Sequence, residues 1–219
     1  ILLGFANTGA NLIINYNNSK ESAEKIVQTV KELGCQALSI KADVSKEDEV
    51  SDMFELAISK FGKIDFLINN AGIYEDSVVW KMKQETWQRV IDNDLTSVFN
   101  CTKYALQSMR KNKNGRIINI SSVAGQTGSF GTSNYSAAKS GIFGFTRAVA
   151  TEVASKNITV NTLSLGFIES GMLLKLPEEI QESIIKKIPF KRWGKPEEVV
   201  QTILLLCSDH AAYLTGEVI

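Results

Sequence analysis

Apolar runs rich in β-branched residues alternate with amphipathic stretches along this chain. The apolar runs predict strands at residues 11–17, 35–43, 63–72, 115–122 and 157–166. Helical patterns between them cover residues 20–33, 46–61, 86–112 and 134–155. Continuous apolar segments such as "FLI" and "IINI" are typical of strands buried on both faces. The repeated order of strand, helix and strand predicts an α/β protein with a doubly wound parallel sheet in a three-layer α/β/α arrangement.

Both ends of the chain differ from a complete sheet of this kind. The opening segment "ILLGFANTGA" predicts the back part of a helix that Gly9 closes. Dinucleotide-binding folds place a strand and a glycine-rich turn before such a helix, and "YLTGEVI" at the other end reads as the beginning of an apolar strand. We therefore expect the first and last strands of the sheet to be missing from this chain. Residues 1–219 contain no Pro- or Gly-rich linker, which indicates a single domain.

The charge balance and the cysteines limit the kinds of partner and metal site that the sequence predicts. Lys plus Arg and Asp plus Glu each number 24 among 219 residues, so the composition predicts neither a nucleic acid nor an anionic membrane as partner. Every apolar run is too short to span a bilayer. Cys35, Cys101 and Cys207 lie far apart, and His210 is the only histidine. This pattern predicts no metal site and no disulfide framework, and it favours buried thiols in a reducing compartment, the cytoplasm.

The carboxyl ends of the predicted strands carry small polar residues. In an open α/β sheet, ligands bind at this edge. The sequences there are Asp43-Val44, Asn69-Asn70-Ala71-Gly72, Ser121-Ser122 and Leu165-Gly166-Phe167-Ile168. Each of them is an ordinary turn or cap sequence by itself. Their occurrence on one edge, with a helix soon after the Ser122 strand, indicates a functional site more strongly than any one of them does alone.

Tyr135 and Lys139 lie four residues apart in that helix and therefore share one of its faces. The spacing alone also fits a tyrosine and a lysine on a solvated surface. An ordinary phenol has a pKa of ~10, and a nearby ammonium lowers that pKa toward the range useful for acid–base work. A serine hydroxyl such as that of Ser122 can hydrogen-bond a substrate oxygen while charge develops on it. The three side chains together indicate carbonyl chemistry.

Several longer motifs resemble one family. "NNAG", "ISS" thirteen residues before "YSAAK", and "GFIESGM" are similar to motifs of the short-chain dehydrogenase/reductases, and the similarity is greatest to the 3-oxoacyl-acyl carrier protein reductases. It continues through "FLINNAGI", "GRIINISSVAG", "KNITVNTLSLGFIESGM" and "RWGKPEEVVQTILLLCSD", and so covers essentially the whole chain. The resemblance implies a Rossmann-type oxidoreductase that reduces a 3-oxoacyl thioester on acyl carrier protein, with NADP(H) as cofactor and NAD(H) not excluded.

The resemblance also implies roles for the catalytic residues. Tyr135 corresponds to the proton donor for ketone reduction, and Ser122 to the residue that orients the substrate carbonyl. Lys139 corresponds to the residue that binds the nicotinamide ribose hydroxyls and lowers the pKa of the tyrosine. Hydride then passes from the reduced nicotinamide to the carbonyl carbon as Tyr135 protonates the oxygen.

A set of cofactor-binding residues follows from the same resemblance. Besides Tyr135 and Lys139, the positions implied are Asp43 and Val44 at the adenine, Asn70, Ala71 and Gly72 along the cofactor, and Gly166 and Ile168 near the nicotinamide. The stretch Asn15-Tyr16-Asn17-Asn18 at the end of the second strand of the complete sheet carries no carboxylate. An NAD-dependent enzyme usually has one there for the ribose 2′-hydroxyl, so we expect a preference for NADPH.

Three features depart from the family pattern. The glycine-rich phosphate-binding turn is absent from this sequence, and Leu165 replaces the usual proline before Gly166. Asp94 occupies the position of a fourth catalytic residue, an asparagine in the family. Val90, Asp94 and Val98 follow one another at intervals of four, so the carboxylate interrupts an apolar stripe. Burial there is costly unless the charge is paired or wet, and a carboxylate that reaches solvent at the edge of the stripe fits equally well.

The Tyr135 helix also carries a stripe of small residues, Ala137, Gly141, Gly144 and Ala148. Small residues let another backbone approach closely, although a glycine inside a helix costs about 1 kcal/mol relative to alanine. Packing on the parent sheet explains such a stripe. The resemblance implies a second use, in which helices 86–112 and 134–155 form the interface of a homotetramer.

Two other functions remain open from the sequence. Residues 167–190 are expected to form a substrate lid, and a different lid would make the protein a dehydrogenase for a sugar, a steroid or another small alcohol. A non-catalytic relative that binds nucleotide or only assembles with partners fits the absent glycine turn and Asp94. The presence of Ser122, Tyr135 and Lys139 argues against the non-catalytic function.

Overall fold

The computed structural model describes residues 1–169 and 177–219 of the chain. Its strands are β1 (Leu12–Tyr16), β2 (Ala37–Lys41), β3 (Phe66–Asn69), β4 (Gly115–Ser122) and β5 (Ile158–Leu165). Its α-helices are α1 (Leu2–Ala6), α2 (Lys20–Glu32), α3 (Glu47–Phe61), α4 (Gln84–Ile91), α5 (Ser97–Asn112), α6 (Ala124–Thr127), α7 (Ser133–Val153), α8 (Glu178–Lys187) and α9 (Pro196–Cys207). A π-helical segment, Asp92–Thr96, joins α4 to α5, and short 3-10 turns span Ala154–Lys156 and Asp209–Ala211. The predicted strands and helices are confirmed, with ends that shift by a few residues.

All pairings between these strands are parallel, as predicted, but the strands form two sheets. β1 pairs with β2, and the second sheet has the order β3-β4-β5. The C-terminal residues 217–219 add to the free edge of β5, because the amide of Ser164 donates to the carbonyl oxygen of Ile219 at 2.7 Å. The segment predicted to begin a strand therefore lies where a further strand of the sheet belongs. The rings of Phe5 and Phe66, 5.6 Å apart, connect the first helix to the beginning of β3.

Helices cover both faces of the strands, which confirms the three-layer α/β/α arrangement. Along β4, Ile117 belongs to the hydrophobic cluster under α3, α5 and α7, whereas Ile118 belongs to the cluster under α1, α2 and α9. Both side chains are fully buried. Successive side chains of a strand point to opposite faces, so a continuous apolar run is what a strand between two helix layers requires. Residues from β1, β4 and β5 share the second cluster, which joins the two sheets through side chains.

The predicted helix 86–112 is interrupted by the π-helical segment at Asp92–Thr96. A π-turn adds one residue to the helical repeat and changes the direction in which the following side chains point. Such turns occur frequently at functional sites. Asp94 lies at the centre of the segment, where Val90 and Val98 on either side of it are also buried.

Close backbone contacts fix α7 against its neighbours. A Cβ atom at Gly141 would lie 2.8 Å from Leu95 Cδ2, so this part of the small-residue stripe accommodates the π-helical segment rather than the sheet. A Cβ at Gly125 of α6 would lie 2.8 Å from the carbonyl carbon of Lys139. A Cβ at Gly144 meets no atom within 4 Å. The helix that carries Tyr135 and Lys139 is therefore held tightly on the side toward α6 and the π-helical segment.

The prediction of buried thiols is confirmed. Cys35, Cys101 and Cys207 are free and buried. Within residues 1–169 and 177–219, no cluster of three or more His, Cys, Asp or Glu side chains could hold a metal ion. No helix in the same residues has the length and hydrophobicity needed to cross a membrane.

Candidate active site

The parallel register brings the polar strand ends to one edge of the β3-β4-β5 sheet. Asn69 pairs with Asn119, and Ser122 pairs with Leu165 at the carboxyl ends of β4 and β5. Asn70 therefore follows β3, and Gly166 follows β5, beside the end of the strand that carries Ser122. The amide of Val123 donates to the carbonyl oxygen of Leu165 at 3.0 Å and extends this pairing past Ser122. Leu165 is the last residue of β5.

Ser122, Tyr135 and Lys139 come together at this edge, as predicted. The Ser122 hydroxyl lies close enough to the Tyr135 phenol to lower the pKa of the phenol. Lys139 is buried, and its Nζ atom lies 5.5 Å from the centre of the Tyr135 ring. Nζ donates to the carbonyl oxygen of Ile120 at 3.3 Å, and the Lys139 carbonyl oxygen accepts from Ser121 Oγ at 2.8 Å. These bonds hold the lysine against β4 and direct its ammonium toward the phenol, so the pair is not a surface feature.

Asp94 is fully buried beside Lys139, so of the two alternatives that the sequence left open, the solvated carboxylate at the edge of its helix does not apply. Its Oδ2 atom lies 3.1 Å from Lys139 Nζ, and its Oδ1 accepts the backbone N–H of Ile73 at 2.8 Å. The π-turn aims Asp94 at this position, where the ammonium and the amide compensate part of its burial cost. A Cβ at Gly72 would lie only 2.7 Å from Asp94 Oδ2, so the carboxylate requires glycine at that position.

Burial and charge set the acid–base properties of these groups. Burial raises the pKa of Asp94 above its ordinary value, although the Lys139 ammonium and the Ile73 amide act in the opposite direction. Burial also raises the pKa of the Tyr135 phenol; the Ser122 hydrogen bond lowers it, and the Asp94 carboxylate raises it further. The expected lowering of this pKa by the lysine stays a prediction. The negative charge of Asp94 opposes the effect that the Lys139 ammonium has on the pKa of the phenol, as expected for a carboxylate at this position.

Tyr74 was not singled out from the sequence. Its ring meets the Tyr135 ring edge-on, with 5.4 Å between the ring centres, and it adds to the rise in the pKa of Tyr135. Tyr74 follows Gly72 by two residues in an irregular segment, where neither helical nor strand periodicity indicates which side chains point toward the site. Only its closeness to the "NNAG" motif could have suggested it.

The predicted cofactor residues lie along the same edge and leave room for a ligand. Asn70, Ala71 and Gly72 are exposed beside the buried Asp94–Lys139 pair. Gly166 is also exposed, and a Cβ built on it meets no atom within 4 Å. An exposed strip of small residues next to a buried ammonium fits an extended ligand that carries hydroxyl groups, such as a nicotinamide nucleotide.

Asp43 and Val44, expected at the adenine, are held by contacts within the protein. Asp43 Oδ1 accepts from the backbone N–H and the hydroxyl of Ser45, and the Val44 carbonyl oxygen accepts from Asn100 Nδ2 at 3.1 Å. Asp43 also lines a groove of about 510 Å³ that extends toward Arg89 and contains none of the catalytic side chains. The Asp43 carboxylate thus shapes a turn, which is its ordinary local role.

Ile168 is fixed by a short pairing at the beginning of the predicted lid. The amide of Glu169 donates to the carbonyl oxygen of Gly194 at 2.8 Å, and the amide of Gly194 donates to that of Phe167 at 2.9 Å. A Cβ at Gly194 would lie 2.7 Å from Ile168 Cδ1. Of the lid predicted at residues 167–190, residues 170–176 lie outside the described residues.

Comparisons with known proteins agree with this geometry. The family model described as enoyl-(acyl carrier protein) reductase matches residues 2–219. The chain is 40% identical to a 3-oxoacyl-[acyl-carrier-protein] reductase FabG of Staphylococcus epidermidis over 219 residues, which is 100% of the chain and 90% of that protein. It is 42% identical to the Staphylococcus aureus protein of that name over 219 residues, 100% of the chain and 89% of the relative. It is 46% identical to a 3-oxoacyl-[acyl-carrier-protein] reductase of Synechocystis over 216 residues, 98% of the chain and 86% of the relative. These matches show that the chain belongs to the short-chain dehydrogenase/reductase family of oxidoreductases, and the serine, the tyrosine and the adjacent lysine lie together at the sheet edge.

Proposed function

We propose that this protein reduces a 3-oxoacyl thioester carried on acyl carrier protein to the 3-hydroxyacyl thioester, with NADPH as the reductant. The observation that carries the proposal is the buried Lys139 ammonium, which lies 5.5 Å from the centre of the Tyr135 ring, with the Ser122 hydroxyl near the same phenol. The family implies a nicotinamide cofactor. Relatives 40% to 46% identical over nearly the whole chain bear the name of this reductase, which supports the substrate class.

The chemistry of the proposed step balances with these side chains. The reduced nicotinamide, when bound, supplies a hydride for the C3 carbonyl carbon. The hydroxyl groups of Ser122 and Tyr135 hydrogen-bond the carbonyl oxygen, which stabilises the negative charge that develops there. Tyr135 then transfers its proton to that oxygen, so a C–H and an O–H bond form and the carbonyl π bond is lost. Lys139 provides a positive charge near the resulting phenolate and can donate to the ribose hydroxyls.

The preference for NADPH belongs to the same proposal. The segment after β1, Asn17-Asn18, is exposed, and Asn15 is tied to the next strand through a 2.9 Å bond from its Nδ2 to the Ala42 carbonyl oxygen. No carboxylate in this stretch opposes a 2′-phosphate. An NAD-dependent enzyme usually holds the ribose hydroxyl with an acidic residue here.

Reduction of the carbon–carbon double bond of an enoyl thioester is the second candidate, because the matching family model bears that description. Two hydroxyl donors at one point favour the carbonyl, since a carbonyl oxygen accepts both hydrogen bonds as it gains charge. Oxidation of NADPH by the full-length protein with acetoacetyl and crotonyl thioesters separates the two functions. We expect turnover of acetoacetyl thioester that Tyr135→Phe abolishes, whereas Tyr213→Phe, a change at a fully exposed tyrosine, leaves it intact. Turnover of crotonyl thioester alone, or cofactor binding without any turnover, would refute the proposal.

A homotetramer and a cytoplasmic location complete the proposal. Phe99 on α5 is 48% exposed, and Gly144 on α7 is open to solvent, so helices 86–112 and 134–155 both present surface on which another copy could pack. The free, buried cysteines fit a reducing compartment. Light scattering on the full-length protein tests the assembly: a tetramer that Phe99→Asp dissociates supports this interface, and a monomer excludes it.

A further inference from the structure

A chain of buried polar side chains crosses the core beneath the catalytic edge; we call it the polar ladder. Asn69 Nδ2 donates to Thr102 Oγ1 at 3.2 Å and to Asn119 Oδ1 at 2.8 Å. Asn119 Nδ2 donates to Thr146 Oγ1 at 2.8 Å. The hydroxyl oxygens of Thr146 and Thr162 lie 2.7 Å apart. Each side chain of the polar ladder thus bonds to the next, from Thr102 at one end to Thr162 at the other.

The polar ladder occupies positions where apolar side chains would be expected. Asn119, Thr146 and Thr162 are fully buried, and the other two members are nearly so. Asn119 follows two fully buried isoleucines on β4. A buried amide or hydroxyl costs free energy unless it is hydrogen-bonded. A polar core of this kind therefore tolerates few arrangements of its elements, because a shift that breaks one bond leaves a buried donor unpaired.

The polar ladder connects the elements that carry the proposed catalytic residues. Thr102 lies on α5, which continues the π-helical segment of Asp94, and Asn69 ends β3 directly before the strip that begins at Asn70. Asn119 lies on β4, which ends at Ser122, and Thr162 lies on β5, which leads to Gly166. Thr146 lies on α7 with Tyr135 and Lys139. One hydrogen-bonded chain therefore ties α5, β3, β4, α7 and β5 together below the reaction site.

The bond to Thr146 fixes how α7 lies against β4. Thr146 follows Lys139 by seven residues, which is about two helical turns, so the two side chains lie on nearly the same face of α7. The Lys139 carbonyl oxygen accepts from Ser121 Oγ at 2.8 Å. Asn119 and Ser121, two residues apart on β4, thus hold α7 at two points along its length. Rotation or sliding of the helix would break both contacts at once.

We propose that the polar ladder is a positioning network for catalysis, in which Asn119 and Thr146 set the position of Tyr135 and Lys139 relative to Ser122. The ladder residues act through α7 and the strands and do not touch substrate. This inference rests on the proposed reductase function. A displacement of reacting groups by about 1 Å can reduce a rate about 100-fold, so a small change in the lie of α7 has a measurable effect.

A pair of substitutions at Thr146 tests the proposal. Thr146→Val keeps the shape of the side chain but removes the hydroxyl, and it leaves Asn119 Nδ2 without its acceptor. Thr146→Ser keeps the hydroxyl and loses a methyl group. We expect Thr146→Val to lower kcat by about tenfold or more, to change the KM for acetoacetyl thioester little, and to shift the Tyr135-linked limb of the pH–rate profile. Thr146→Ser should keep the kcat and the pH profile of the parent even though it loses buried apolar volume.

Asn161→Leu is the matched control, because Asn161 is equally buried but bonds to the C-terminal segment at Leu214 and Glu217. It should lower the melting temperature while kcat and the pH profile stay at parent values. A Thr146→Val protein with parental kcat and pH profile would overturn the proposal, as would a Thr146→Ser protein that loses as much activity as Thr146→Val. If Thr146→Val does not fold, Thr146→Ala removes the same hydroxyl from a smaller side chain, and parental kcat and pH profile in that variant overturn the proposal.

The proposed function and the polar ladder can fail separately. An inactive parent protein refutes the reductase. The polar ladder is then tested by the ultraviolet titration of the Tyr135 phenol, obtained as the difference between each protein and its Tyr135→Phe counterpart. A shift in Thr146→Val that is absent in Thr146→Ser supports the positioning role, and equal titrations in the two variants refute it.

Discussion

Asp94→Asn should make Tyr135 more acidic. The substitution removes a buried carboxylate whose Oδ2 lies 3.1 Å from Lys139 Nζ and keeps an oxygen that can accept the Ile73 amide. Two unit charges about 7 Å apart at an effective dielectric of about 20 interact by roughly 2 kcal/mol, and one pKa unit corresponds to about 1.4 kcal/mol. Because Tyr135 is partly exposed, solvent screens some of this energy, and we expect the pKa of the phenol to fall once the carboxylate that raises it is removed.

The sign of the effect follows from the proposed role of the phenol. Reduction requires the protonated phenol, so the rate falls as the pH rises through the pKa of Tyr135. Asp94→Asn lowers that pKa, and the alkaline limb of the kcat profile, measured at saturating cofactor, should move to lower pH. Asp92→Asn is the matched control, since Asp92 lies in the same π-helical segment and its carboxylate accepts hydrogen bonds from Gln88 and Thr96 instead of facing Lys139. An alkaline limb that stays in place or moves to higher pH in Asp94→Asn would show that Asp94 acts only in the structure.

Three further predictions concern the same edge of the sheet. Tyr135→Phe should abolish reduction and leave cofactor affinity nearly unchanged, whereas Lys139→Ala should lose both activity and cofactor affinity. Turnover and fluorescence titration of the cofactor measure the two effects. Turnover of more than a small fraction of the parent rate in Tyr135→Phe contradicts the role of the phenol. Gly72→Ala should lower the free energy of unfolding by roughly 1–3 kcal/mol, because the added Cβ meets the Asp94 carboxylate. Gly144→Ala, where the Cβ meets no atom within 4 Å, should raise the free energy of unfolding by about 1 kcal/mol. Equal effects of the two substitutions in thermal denaturation contradict the packing argument. The ratio of kcat/KM values should favour NADPH over NADH, and equal or better values with NADH contradict the argument from Asn15–Asn18.

The sequence was sufficient to predict the repeated units of strand, helix and strand. Strands buried on both faces show a continuous apolar run, as β4 does, and the register of parallel strands then places their carboxyl ends on one edge. The meeting of Ser122 with Tyr135 and Lys139 follows from that rule together with the spacing of four residues in α7. Periodicity also located the helices, because each buries one face of its surface against the sheet.

The π-turn, and the burial of Asp94 and its pairing with Lys139, could not be predicted in the same way. A helical wheel drawn through Val90, Asp94 and Val98 assumes a constant repeat, whereas the π-turn at Asp92–Thr96 adds a residue within that span. The direction of Asp94 is therefore set by packing of the π-helical segment on Gly141 through Leu95, a contact between parts of the chain far apart in sequence. Whether the carboxylate is paired depends on the same contact, since it brings Lys139 within reach.

The acid–base properties of Tyr135 also depend on contacts between distant parts of the chain. The sequence indicated an ammonium near a phenol, which by itself lowers the pKa of the phenol. Burial of Tyr135 and the carboxylate of Asp94 both raise the pKa of the phenol. Both effects depend on how closely α7 is held to β4 and the π-helical segment, and that closeness depends in turn on Asn119, Thr146 and the glycines at the contacts. The pKa of the tyrosine is therefore a property of the packed core beneath it, and a change at Thr146 should alter it although Thr146 lies two helical turns from Lys139.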